Sequence, residues 1–135
     1  MRITGEMGNL AAWEKRLFYM CSARPTLHPR ALFSDVTSDY RSPAEPVPGD
    51  EVTIRLRTGR YNVDKAYLVV DNVEHVMTRV RSESMFDYYE AKINVGTDKI
   101  YYYFKVELGR TVCYYNQIGA IKDLNPYYNF QITPG

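Results

Sequence analysis

Tyrosine is the residue type with the most to offer chemically in this chain. Thirteen are present among 135 residues. Through the last third they fall in adjacent pairs: Tyr88-Tyr89, Tyr101-Tyr102 (running on to Tyr103), Tyr114-Tyr115 and Tyr127-Tyr128, each thirteen residues beyond the one before. A phenol has a flat apolar face and a hydroxyl that both donates and accepts. A pyranose ring presents the complement, an apolar C–H face girdled by hydroxyls. Lys, Glu and Asn residues interleaved with the tyrosines add hydrogen-bonding groups, so the pattern suits sugar recognition. It also suits two plainer outcomes. Cross-strand ring pairs stabilise a sheet by ~0.2–1 kcal/mol each with no ligand, and an aromatic face can pack against another domain.

Other chemistries find little support. His28 and His75 are the only histidines, and neither has a second ligand-type residue at metal spacing, so no metal or cofactor is expected. There is no Gly-rich phosphate loop and no nucleophile elbow. Asp87 and Glu90 fall on opposite faces of one strand and cannot form the paired carboxyls that glycoside hydrolysis needs. No catalytic residue is identified. The net charge of +1 provides no field for nucleic acid, and Arg55, Arg57, Arg79 and Arg81 read as the solvated side of strands. No apolar run reaches membrane-spanning length, and Glu14, Lys15 and Arg16 interrupt every candidate signal-peptide core, so a cytoplasmic location is expected. Cys21 and Cys113 read as reduced thiols, not as a disulfide framework.

The elements that must position the tyrosines are strands. One strand plus one turn takes about 8–12 residues in an all-β domain, so a thirteen-residue interval fits a meander of slightly long strands. Residues 1–29 form an atypical N-terminal extension. Leu10, Trp13, Leu17 and Met20 recur at helical spacing there, and a short docked helix and a disordered extension remain open. Residues 30–135 form one domain. Strands are expected over Arg30–Asp35, around Val52, Ile54 and Leu56, and over Lys65–Val70, Glu74–Val80, Met85–Val95, Lys99–Leu108, Thr111–Asn116 and Tyr128–Ile132. This is an all-β, antiparallel β-sandwich of about seven to eight strands.

Two Gly-containing turns, Gly96-Thr97 and Gly109-Arg110, suggest consecutive hairpins. Those registers align Tyr89, Phe104 and Tyr115 on a core face, with Val52, Ile54 and Leu56 also buried. Tyr88, Tyr101, Tyr103 and Tyr114 then share an exposed face with Asn116, and these five are the candidate carbohydrate-binding residues.

The order of motifs also resembles a known family. Ala31-Leu32-Phe33-Ser34-Asp35, Asp39-Tyr40-Arg41, the run from Val52 to Thr58 and Asn62-Val63-Asp64-Lys65 are similar to the opening of cyclomaltodextrinase-, neopullulanase- and maltogenic-amylase-type enzymes. Met85-Phe86-Asp87-Tyr88-Tyr89-Glu90-Ala91, Tyr102-Tyr103-Phe104 and Tyr114-Tyr115-Asn116 followed by Gly119 continue the likeness. Together they resemble the N-terminal domain, classed as carbohydrate-binding module family 34, of glycoside hydrolase family 13 enzymes. The resemblance implies an immunoglobulin-like sandwich ahead of a catalytic (β/α)₈ barrel acting on α-1,4-glucans. Such a barrel needs about 250 residues and is not within this chain. The implied role is that of a non-catalytic accessory domain binding or positioning starch, maltooligosaccharide or cyclodextrin. The implied protein partners are the enzyme's own catalytic domain and a second subunit of a homodimer. The alternative is a structural interaction domain with no sugar site of its own.

Overall fold

Alternation of apolar and polar residues specifies the long strands. In β2 (Glu51–Gly59) Val52, Ile54 and Leu56 point inward with no exposed surface, while Thr53, Arg55 and Arg57 lie between them on the other side. The computed structural model describes residues 26–135. The helix-or-disorder alternative for the extension, Met20 and Cys21 lie outside the described residues.

Among the described residues ten strands form two antiparallel sheets. The first holds β1 (Arg41–Ser42), β2, β6 (Phe86–Asn94) and β5 (Thr78–Glu83), in that spatial order. The second runs β4 (Val73–Val76), β3 (Lys65–Val70), β7 (Ile100–Leu108), β8 (Thr111–Asn116) and β9 (Gly119–Ile121), and β10 (Phe130–Ile132) pairs with β7. Short 3-10 turns occupy Pro29–Ala31 and Pro126–Tyr128, and no α-helix occurs among the described residues. The core between the sheets is rich in rings. Tyr102 stacks on Phe130 at 5.2 Å, and Phe104 and Tyr115 approach the same Phe130 ring at 5.9 and 6.3 Å. Each large apolar side chain buried this way contributes about 1.5–3 kcal/mol.

The Gly109-Arg110 hairpin has the expected register, with Phe104 opposite Tyr115 and Lys105 opposite Tyr114. The Gly96-Thr97 hairpin does not form. β6 pairs with β2 on one side and β5 on the other, and the chain after Val95 crosses to the second sheet. Val52, Ile54 and Leu56 meet Ile93, Ala91 and Tyr89 across a nine-residue pairing, an apolar match longer than the local hairpin could provide. Tyr89 therefore reaches the shared core from the sheet opposite Phe104 and Tyr115.

Three further differences follow from local chemistry. The segment expected as one strand over Glu74–Val80 changes sheets at buried Met77, whose amide donates to the Ala66 carbonyl at 2.9 Å. In place of the Arg30–Asp35 strand there is a 3-10 turn begun by Pro29, and then a single bridge from Phe33 to Arg57. β9 was not expected, being three residues long and half-buried.

Two polar side chains organise the ends and edges. Buried Arg41, on a strand of the first sheet, donates to the Tyr102 hydroxyl (3.3 Å) and the Gln131 carbonyl (3.0 Å) of the second. Asn62 holds the incoming chain: its Nδ2 donates to the Thr26 carbonyl and its Oδ1 accepts from the His28 amide, with Leu27 buried between them.

Candidate functional site

The outer face of the second sheet is set by the alternation of β7. Tyr101, Tyr103, Lys105 and Glu107 point away from the core, with Tyr67 and Val69 beside them on β3 and Tyr114 on β8. Tyr103 and Tyr114 meet edge to face, 5.9 Å between centroids. Burial raises the Tyr103 phenol above its ordinary pKa, with Tyr114 adding to the effect. Lys105 is committed to its neighbours. It bonds Glu74, lies 3.5 Å from Glu107 and sits 4.7 Å from the Tyr67 ring centre. The bond to Glu74 raises its pKa, so this lysine stays charged and occupied.

At one end of this face the surface dips into a cleft of about 310 Å³ lined by Asp71, Asn72, Tyr101, Tyr103, Pro126 and Asn129. One wall is the β3–β4 turn, where Asp71 and Asn72 both take positive φ (47° and 68°), a conformation these residue types tolerate in tight hairpins. The Asp71 amide donates to the Tyr101 carbonyl, and its carboxylate accepts from the Tyr101 amide at 3.3 Å. The other wall is the turn at Pro126, capped by the Asn125 side chain on the Tyr127 amide (3.1 Å). Gln117 ties that turn back to the sheet: its amide donates to the Tyr128 carbonyl (2.8 Å) and its side chain to the Asn129 carbonyl (2.7 Å).

The chain leaves β8 at Asn116 and enters β10 just after Asn129. Extending either register by one residue places both asparagines opposite Tyr103. Asn116 Nδ2 and Asn129 Oδ1 are buried with no hydrogen-bond partner, one a donor and the other an acceptor. Leaving such groups unpaired costs about 1–3 kcal/mol each, an expense a polar ligand or bridging water would offset.

Of the five residues expected to share this face, Tyr101 and Tyr103 line the cleft, and Tyr114 flanks Tyr103. Asn116 belongs to the face but is not exposed. The chain folds back over it into β9, and its Oδ1 accepts from the Ile118 amide at 3.0 Å. Tyr88 is elsewhere. It lies on the outer face of the first sheet between Arg57 and Arg81, because β6 does not pair with β7. Asp71, Asn72, Pro126 and Asn129 were not anticipated. The only signals were an Asp-Asn turn and an Asn-Pro capping sequence, and neither says that the two meet in space. Among the described residues no three His, Cys, Asp or Glu side chains converge as a metal site, and no helix is long and apolar enough to cross a membrane.

Comparison with known proteins agrees with this architecture. The sequence profile of the family described as "Alpha amylase, N-terminal ig-like domain" matches residues 40–133. A search of curated proteins returns no match. Among solved structures, a cyclomaltodextrinase superposes with TM-score 0.64 at 18% identity, over 77% of this chain and 19% of that one. A maltogenic amylase from S. marinus gives 0.63 at 14% identity, over 84% and 16%. The type III pullulan hydrolase from Thermococcus kodakarensis gives 0.51 at 17% identity, over 75% and 16%. At these identities the likeness is one of fold, and the chain spans under a fifth of the length of each of the three. The profile match over most of the sequence carries the assignment: this chain belongs to the alpha amylase N-terminal ig-like domain family.

Proposed function

We propose that this is a non-catalytic accessory domain of an α-glucan-degrading glycoside hydrolase of the α-amylase type, and that it holds α-1,4-glucan chains against Tyr101, Tyr103 and Tyr114. The observation that carries the reading is the cleft in which two tyrosine rings adjoin Asn129, whose buried Oδ1 has no hydrogen-bond partner. Rings can cover the apolar face of a glucose unit while amide and carboxylate groups take its hydroxyls. Maltooligosaccharide, cyclodextrin and starch are the proposed ligands, and the catalytic domain of the same enzyme and a second subunit are the proposed protein partners. A cytoplasmic setting belongs to the same proposal, since two cysteines in 135 residues do not make a disulfide framework.

The site is shallow, so weak binding is expected: dissociation constants from millimolar to high micromolar, ~4–6 kcal/mol. Isothermal titration with maltoheptaose and β-cyclodextrin measures it. Replacing Tyr103 and Tyr114 together by Ala should abolish binding and leave the fold intact, because the core rings are the other member of each pair.

A second reading, a structural interaction domain without its own sugar site, is favoured by Ile118, Leu124 and Tyr127, large apolar side chains left exposed in the segment between β8 and β10. Absence of heat and of chemical-shift change at about 10 mM maltoheptaose would select it.

A further inference from the structure

The displacement of Tyr88 to the first sheet exposes a second constellation. Asp39, Tyr40, Arg55, Arg81 and Tyr88 line a polar cleft of about 290 Å³ on the face opposite the Tyr101–Tyr103 cleft. We propose that this cleft is a separate subsite for a neutral sugar, one or two pyranose units of an α-glucan.

Its parts are held in place before any ligand arrives. Arg55 Nε and Nη2 donate to Glu90 Oε2 at 2.9 and 2.7 Å, and Nη1 donates to the Asp39 carbonyl at 2.9 Å. A guanidinium carries five N–H donors, so Arg55 retains donors for a ligand. The Arg81 guanidinium carbon lies 4.4 Å from the centre of the Tyr88 ring, a cation–π contact between two residues that line the cleft. Tyr40 is braced edge-on by Phe33 at 5.0 Å. Its phenol pKa is raised by burial and then by Tyr88, as expected of two phenols within interaction range. Asp39, which lines the cleft, is exposed.

Charge selects the ligand class. Two guanidinium groups, Arg55 and Arg81, are matched by two carboxylates, Asp39 in the cleft and Glu90 on Arg55. A balanced site gives an anion no net attraction. It does offer an array of charged donors and acceptors to hydroxyls, whose hydrogen bonds to ionised groups are the stronger kind. The size is at the lower limit for small-molecule sites, about 300 Å³, which suits a short sugar and not a large ligand.

Titration of the full chain with maltotriose, followed by amide chemical shifts, tests the assignment. Two separate sets of shifts are expected, one around Tyr40, Arg55 and Tyr88 and one around Asp71, Tyr101 and Tyr103. Asp39→Asn, an exposed and nearly isosteric change, should weaken the first set about fivefold or more while leaving the second unchanged. Tyr103→Ala should do the reverse, so failure of either site is read independently of the other. Shifts confined to the Tyr101 face, an unaltered first set in the Asp39→Asn protein, or a response of Arg55 and Arg81 to inorganic phosphate but not to maltotriose would each overturn the proposal.

Discussion

At the scale of single residues, burial acts most visibly on acidity. The phenols of Tyr102, Tyr89 and Tyr115 and the thiol of Cys113 all have pKa values raised, in each case first by burial, with bonds such as Arg41 to Tyr102 acting partly against it. The folded chain therefore keeps protons that the unfolded chain releases. Stability should be fully present below the unfolded values, about 8.5 for Cys and 10 for Tyr, and should fall as pH rises through the higher folded values. A urea midpoint measured at about pH 10.5 is expected to lie below that at about pH 8, and equal midpoints would contradict this account. Which member of Tyr102-Tyr103 or Tyr114-Tyr115 faces the core was legible, because alternation and the presence of Lys105 leave one workable answer. The burial of Asn116 was not legible, since a strand pattern does not reveal that the chain will turn back over its own last residue.

At the scale of elements, what was readable was what is local. β2, β3, β7 and β8 follow from period-two patterning, and the β7–β8 register follows from its Gly turn. β6 lies next to β7 in sequence yet belongs to the other sheet, and only the long-range match with β2 determines that. The β5–β6 hairpin shows how a polar residue can hold elements that packing does not. β5 is exposed along its whole length. Asp87, almost fully buried at its base, accepts from the Tyr61 amide at 2.9 Å and from the Ser82 hydroxyl, with Arg79 at 3.8 Å. The same carboxylate thus braces the turn at Tyr61, which holds positive φ (52°), and ties it to Ser82 on β5. Asp87→Ala should cost about 1–3 kcal/mol by leaving these donors unpaired. Faster hydrogen exchange at the Tyr61 amide should accompany it, while amides of β7 and β8 keep their protection. Uniform loss of protection would mean that Asp87 supports the whole fold and not this end alone.

At the scale of the molecule, the division at residues 29 and 30 becomes a proposal about stability: residues 1–19 contribute little. A chain beginning at Met20 retains Thr26, Leu27 and His28, which Asn62 and the core hold. Its melting temperature should match that of the full chain, and a fall beyond ~4–8 °C would assign the removed segment about a kcal/mol or more. The sandwich as a whole was legible from strand rhythm and composition, but the clefts were not, since each is assembled from segments far apart in sequence. One feature of the assembly reaches further. Along one edge the chain itself passes between sheets at Met77, and along the other Arg41 of β1 grips β7 and β10. A book bound at its spine still opens at its fore-edge; this one is clasped at both. Parting the sheets would break the Met77–Ala66 bond at one edge and uncover the buried Arg41 guanidinium at the other. The outer faces of the two sheets therefore hold a fixed angle to one another for as long as the Arg41 clasp stays closed.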